Sequence, residues 1–343
     1  MNDARVLVVD DSAAMRALFS DVLEQCRNVC VVGTAANADE ARDQIALLKP
    51  NVVTLDVEMP GMSGIEFLEE IMGTKPLPVV MLSSLTQSGA ETSLKAFALG
   101  AVECFPKPLK ATPEQFTKTV GKLGRIVLAA ANSNLRTTKA PRERAADTAT
   151  FTWNGHIAVF SAAMGGIDAV TGLLSHFPAN CPPTLIVLQV EPALAHALTM
   201  RLDAELKCSV KPAKDGAQLV QGTVHIAADP EAHVIIEPGQ PPRLRMIARD
   251  PVDGARPSAN LLYGSIARAS LPAVAAVLTG MGEDGAKGLK MMRDAGCTTF
   301  AQDRASAMVS DAPAAAIAQG GVGRELPLDE LAAAAIAACD TAG

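Results

Sequence analysis

Short apolar runs alternate with amphipathic helical stretches twice along this chain, and that repeated alternation constrains its fold more than any other feature. Between Arg5 and about Leu123 the runs RVLVVD, VCVVGTA, VVTLDV, PVVMLSS and AVECFP are separated by ALFSDVLEQC, ADEARDQIALL, GIEFLEEIM and TSLKAFALG, and a last helical stretch starts at Pro113. Strand and helix in strict alternation predict a parallel, doubly wound sheet over residues 1–125, with function carried by the loops beyond the strand ends. Near Ala129 the texture changes to AAANSNLRTTKAPRERAADTAT, rich in Ala, Thr, Asn and charge and poor in large apolar residues, which predicts a linker over 126–152 with a helical start. From Trp153 the alternation resumes in HIAVFSA, DAVTGLLSHF, TLIVLQV, ALAHALTMRL, GTVHIAA, HVIIEPG, ANLLYGSIARAS, AVAAVLTG, GAKGLKMMRDAG and CTTFAQD. The expected fold class is therefore α/β, two doubly wound parallel-sheet domains, the second over 153–343.

Length and composition agree with two cores, since the chain has 343 residues of which 49% are hydrophobic and 20% charged. No apolar run approaches the roughly 18 to 20 residues that cross a bilayer, and MNDARVLVVDDS enters a strand without a basic, apolar leader. A soluble cytoplasmic protein with no membrane insertion is expected. The seven cysteines are scattered and lack CxxC spacing, which argues for buried thiols rather than a disulfide framework or a zinc site. A net charge of −7 with a single Trp and a single Tyr supplies neither the basic field nor the stacking rings of a nucleic-acid binder.

Three strand-like runs of the first half end in chemistry. LVVDDS places Asp10 and Asp11 side by side, VVTLDVEMPGMSG places Asp56 at the end of an apolar run, VVMLSS ends in Ser83, and FPKP supplies Lys107. One such Asp taken alone is a turn former or helix cap. Gathered beyond one edge of a parallel sheet, the carboxylates form a hard oxygen site suited to Mg²⁺, which can neutralise phosphoryl oxygens during transfer to a carboxylate. In this order the residues resemble those of response regulator receiver domains. The resemblance implies that Asp56 accepts the phosphoryl group, that Asp10 and Asp11 hold Mg²⁺ beside it, that Ser83 is the hydroxyl switch and that Lys107 pairs with the phosphoryl group, followed by a cis proline at Pro108. It departs from the family at Cys104, where receivers commonly carry an aromatic ring.

The stretch HIAVFSAAMGGIDAVTGLL reads as a buried strand that breaks at small residues and restarts as a helix, a shape on which many α/β enzymes mount a nucleophile. With AMGGIDAV, TLIVLQV, QGTVHIAADPEAH, RPSANLLYGSIA, AVLTGMGEDGAKGL and AQDRASAMV, the second half resembles the chemotaxis protein-glutamate methylesterases of the CheB family, which carry a Rossmann-like effector domain after a receiver. Members hydrolyse methyl esters of receptor glutamates, and some deamidate glutamines, with a Ser-His-Asp triad. The family's aspartate falls on Asp284, but its serine falls on Ala163, the following threonine on Met164, the histidine on Val190 and a glycine before the turn on Ser161. An alanine methyl cannot attack a carbonyl and a valine holds no proton, so nucleophile and base are both missing.

Ser161 and the histidines His196, His225 and His233 are the candidates for a relocated triad. Asp284 has an alternative as a structural carboxylate capping the helix after GEDG. The expectation is a phosphorylation-controlled binding regulator that takes phosphoryl groups from a chemotaxis histidine kinase and engages methyl-accepting chemoreceptors without ester hydrolysis. Its rival is an active methylesterase or deamidase with a relocated nucleophile. A DNA-binding response regulator fits poorly, since the second half lacks a basic helical module.

Overall fold

The strands Ala4–Val9, Val52–Asp56 and Val79–Ser83 are buried along nearly their whole length, as central strands covered by helices on both faces must be. In the computed structural model, which describes residues 3–83, 87–107, 113–135 and 151–341, the chain divides into two compact units, Met1–Ala140 and Pro141–Gly343. The first runs β1 (Ala4–Val9), α1 (Ala13–Glu24), β2 (Val29–Ala35), α2 (Ala38–Leu48), β3 (Val52–Asp56), α3 (Gly64–Thr74), β4 (Val79–Ser83), α4 (Gln87–Ala98), β5 (Glu103–Pro106) and α5 (Pro113–Ala131). All four strand pairings are parallel, in the order β2-β1-β3-β4-β5. The start of the expected linker is thus part of α5 as far as Ala131, while 136–150 and Pro108 lie outside the described residues.

Short polar side chains start the helices. Ser12 accepts a hydrogen bond from the Met15 N–H and Asn37 from the Glu40 N–H, while Ser63 and Glu66 close a reciprocal capping box on α3. The chain steps from β1 outward to β2 and then back across to β3, so the winding reverses between β1 and β3. Helices leave those two strand ends toward opposite faces and open a crevice there. Asp10 follows β1 and Asp56 ends β3, so both stand at the crevice. Gly64 holds the crevice floor tight, because a Cβ on it would collide with the Asp56 carbonyl. Gly64→Ala is expected to lower unfolding free energy by about 1–3 kcal/mol through overpacking, measured by urea denaturation.

The second unit runs β6 (Ile157–Ala162), α6 (Gly166–Leu174), β7 (Thr184–Leu188), α7 (Pro192–Glu205), β8 (Ser209–Pro212), β9 (Thr223–Ala227), β10 (His233–Glu237), β11 (Arg243–Ile247), α8 (Ala259–Ala269), β12 (Ala273–Val277), α9 (Ala286–Asp294), β13 (Thr298–Gln302), α10 (Asp311–Ala318), β14 (Arg324–Leu326) and α11 (Leu328–Ala338). Seven strands form a parallel sheet in the order β14-β13-β12-β6-β7-β9-β8, reversing between β6 and β12, whereas β10 and β11 form a separate antiparallel pair packed on α8. Val159, Leu185, Val187 and Ala275 of the sheet pack with Leu262, Tyr263 and Leu289, and the Tyr263 hydroxyl donates to the Ala276 carbonyl at 2.7 Å. The ends of the unit meet where the Asn154 side chain donates to the Ala338 and Asp340 carbonyls, both at 3.1 Å.

Candidate functional site

Each sheet carries its candidate chemistry where its winding reverses. In the first unit one carboxylate oxygen from each of Asp10, Asp11 and Asp56 lies within 4.8 Å of the others, Asp10 and Asp56 buried and Asp11 exposed. Lys107 reaches in from the end of β5, its Nζ 2.8 Å from Asp10 Oδ2 and 2.7 Å from Asp56 Oδ2. Backbone donors hold the carboxylates: Ser12 N–H on Asp10 Oδ1 at 2.9 Å and Glu58 N–H on Asp56 Oδ1 at 3.1 Å. Arg16, which the sequence did not single out, donates to the Asp10 and Asp11 carbonyls at 2.8 and 3.0 Å and fixes the strand end.

Burial pushes the Asp56 carboxyl above its ordinary range, against the pull of Lys107. Burial acts the other way on Lys107, but hydrogen bonds to Asp10 and Asp56 outweigh it and hold the ammonium raised. Three carboxylates against one ammonium leave negative charge uncompensated in a partly desolvated crevice. With hard oxygen donors alone, the cluster suits a divalent cation.

Ser83 ends β4, buried, with its carbonyl accepting the Lys107 N–H at 2.8 Å and its Oγ 3.4 Å from Ser93 Oγ on α4. Where receivers commonly place an aromatic ring, the Cys104 thiol faces the Ser93 carbonyl at 3.9 Å.

In the second unit the backbone leaves β6 through a tight elbow. Ala163 donates its N–H to the Thr279 carbonyl at 3.0 Å and accepts from Gly166 at 2.7 Å. Gly165 stands at φ 75°, in the left-handed region, and a Cβ there would lie 2.7 Å from Met308 Cβ. Beside the elbow is a shallow cleft of about 10 Å³, room for little more than one water, bordered by Ser161, Ala163, Gln189, Met281 and Asp284. At the elbow stands the Ala163 methyl, and Val190 follows β7.

Asp284 borders this cleft with its carboxylate fully engaged. Oδ1 accepts from Ser258 Oγ at 2.7 Å and Asn260 N–H at 3.1 Å, and Oδ2 from Ala259 N–H at 2.7 Å and Gln189 Nε2 at 2.9 Å. The helix it caps is therefore α8, not α9 as the sequence suggested. The loop after β12 folds across the unit and brings the carboxylate onto the free N–H groups of the first turn of α8, while α9 starts from Gly285 in a left-handed conformation with no side-chain cap. Ser258, just before an amphipathic helix, carries the usual sign of a cap residue, yet its hydroxyl serves Asp284.

No histidine ring among the described residues hydrogen-bonds with Ser161 or Asp284. His233 is buried with both nitrogens engaged, Nδ1 accepting from Ser258 N–H at 3.1 Å and Nε2 donating to the Asp250 carbonyl at 3.0 Å. His225 lies inside β9, two strands from β6, where burial lowers its pKa. His196 is exposed on α7 and borders a different groove with Thr199, Pro212, Ile226 and Asp229. Ser161 is buried, its Oγ closed off from solvent.

Comparison with known proteins matches residues 6–120 to the response regulator receiver domain and residues 158–335 to the CheB methylesterase. The chain is 42% identical to a protein-glutamate methylesterase/protein-glutamine glutaminase 1 of Caulobacter vibrioides, covering 96% of each chain. It is also 42% identical to the protein-glutamate methylesterase/protein-glutamine glutaminase of Agrobacterium fabrum, covering 95% of this chain and 93% of the other. Among solved structures, the CheB methylesterase catalytic domain of Thermotoga maritima aligns with a TM-score of 0.51 at 28% identity, over 54% of this chain and 98% of that one.

Proposed function

We propose, from the premise that this chain belongs to the family joining a response regulator receiver to a CheB methylesterase domain, that it is a phosphorylation-controlled binding regulator without ester hydrolysis. One contrast carries the reading. The acidic site of the receiver is complete, with Lys107 bridging Asp10 and Asp56, whereas the elbow of the effector unit presents Ala163, and Val190 holds the place of the base. Asp56 accepts the phosphoryl group, its attacking oxygen presented at the end of β3. Asp10, Asp11 and Asp56 would hold Mg²⁺ there, whose charge would neutralise the phosphoryl oxygens. Lys107 then moves from pairing carboxylates to pairing the new anion.

The partners consistent with this chemistry are a chemotaxis histidine kinase as donor and methyl-accepting chemoreceptors as the surface engaged. A cytoplasmic location goes with those partners. No described helix is long and apolar enough to cross a membrane. The names of the relatives favour a second reading, an active methylesterase or deamidase with a relocated nucleophile. Against it stands the burial of Ser161 without a histidine beside it.

The test is phosphoryl labelling of the full chain with Mg²⁺ and a small phosphodonor. Label is expected on wild type and none on Asp56→Asn; undiminished acid-stable label on that variant places the acceptor elsewhere. Removing the metal with EDTA should cut the labelling at least tenfold, in line with loss of the charge that offsets three carboxylates.

A further inference from the structure

The hydroxyl of Ser83 is held by a group no part of the proposed chemistry uses. Ser83 Oγ and Ser93 Oγ are 3.4 Å apart, both residues buried, one at the end of β4 and the other inside α4. Ser93 Oγ–H also donates to the Gly89 carbonyl one turn back, at the shorter distance of 2.8 Å. A serine hydroxyl carries a single proton. With that of Ser93 spent on Gly89, the proton between the two serines is the one on Ser83.

Ser83 is one residue beyond Leu82, the β4 partner of Asp56 in the β3–β4 register, and its carbonyl holds the Lys107 N–H. Ser83 therefore ends β4 at the sheet edge where Asp56 ends β3, and the switch role read for its hydroxyl has it turn there toward the anionic oxygens of a phosphoryl group on Asp56. Such oxygens are stronger acceptors than a neutral hydroxyl. One proton cannot serve both.

We propose that Ser93 is a positioning residue that ties up the Ser83 hydroxyl in the unphosphorylated protein and loses it to the phosphoryl group when Asp56 is modified. The proposal rests on the reading of Asp56 as the acceptor. The turn of α4 from Gly89 to Ser93 also meets β5 through the Cys104 thiol on the Ser93 carbonyl at 3.9 Å. Release of Ser83 removes the side-chain bond from that turn to β4 and leaves the thiol contact to β5, so the strand end and α4 become uncoupled on one side only.

The test is a double-mutant cycle on the full chain with saturating Mg²⁺, titrating beryllium trifluoride, a stand-in for the phosphoryl group, by calorimetry. Ser93→Ala should bind it about 2- to 3-fold more tightly than wild type, the worth of one long neutral hydrogen bond no longer broken on binding. Ser83→Ala should bind more weakly, and Ser93→Ala should add nothing in the Ser83→Ala background. A role of Ser93 in packing alone would give the same change in both backgrounds, and that result overturns the proposal. So does unchanged or weaker binding by Ser93→Ala. Absence of binding by wild type, with Asp56→Asn as the blank, removes the acceptor reading itself and the proposal with it; that failure is distinct from wild type binding with no coupling between the two serines.

Discussion

Purified full-length protein is expected to release methanol from methylated receptor on the order of 10⁶-fold more slowly than a family member with a complete triad, the loss measured when a serine hydrolase lacks nucleophile or base. The two losses do not add, because the residues act as one unit. Ala163→Ser alone should recover little, since a serine without a base is a poor nucleophile, and Val190→His alone nothing. The double variant has a hydroxyl and an imidazole at the right strand ends. It must still orient the ring on Asp284, whose oxygens already accept from Ser258, Ala259, Asn260 and Gln189. A new imidazole N–H has to share or displace one of these, and Gln189, the single side-chain amide among them, yields most easily. Partial recovery, well short of a family member, is the expected result in a coupled methanol assay. Robust wild-type activity abolished by Ser161→Ala would establish a relocated nucleophile and end the binding-regulator reading; robust activity indifferent to Ser161 would mean a chemistry other than the triad's.

The receiver was legible in the sequence because each of its candidate residues ends or closely follows a strand, and strand ends of one parallel sheet converge without any tertiary detail. Asp10, Asp56 and Lys107 come together in the structure as that reasoning requires, with both ion pairs formed. Asp284 was legible as a residue but not in its partners. Its donors sit 24 to 26 and 95 positions away, and nothing in GEDG announces that the loop will lie over the start of α8 rather than cap α9.

Ser93 gave no signal at all, since one hydroxyl inside a helical stretch reads as solvated or back-bonded. The elements that alternation did not expose are those with weak patterns. β8 is a short edge strand whose last two residues are exposed; β11 alternates arginine with apolar residues on a separate hairpin; and α11 is mostly alanine. None of them carries candidate chemistry, which is why the site was readable before the fold was complete.

Asp284→Ala is expected to destabilise the second unit by about 2–4 kcal/mol. The carboxylate is half-buried and takes two backbone N–H groups from the first turn of α8 plus the Ser258 and Gln189 side chains. Hydrogen bonds to a charged group contribute about 1.5–3 kcal/mol each when isolated, an N-terminal cap about 1, and the favourable helix dipole a further fraction. These terms overlap on one carboxylate and partial exposure discounts them, so the sum is well below four times the single value. Removal leaves the two N–H groups of α8 to water that reaches them only in part. Asp284→Asn should fall between, because its carbonyl still accepts at Oδ1 while its amide nitrogen faces the donors Ala259 N–H and Gln189 Nε2. Trp153, the single tryptophan, lies in this unit with its Nε1–H on the His156 carbonyl at 2.7 Å, so urea unfolding followed by its fluorescence reports the second unit in the full chain. The thermal midpoint should drop by roughly 5–15 °C for Asp284→Ala. A carboxylate held in place for catalysis is commonly strained and its removal stabilises the fold; unchanged or raised stability on removing Asp284 would reject its role as the cap of α8.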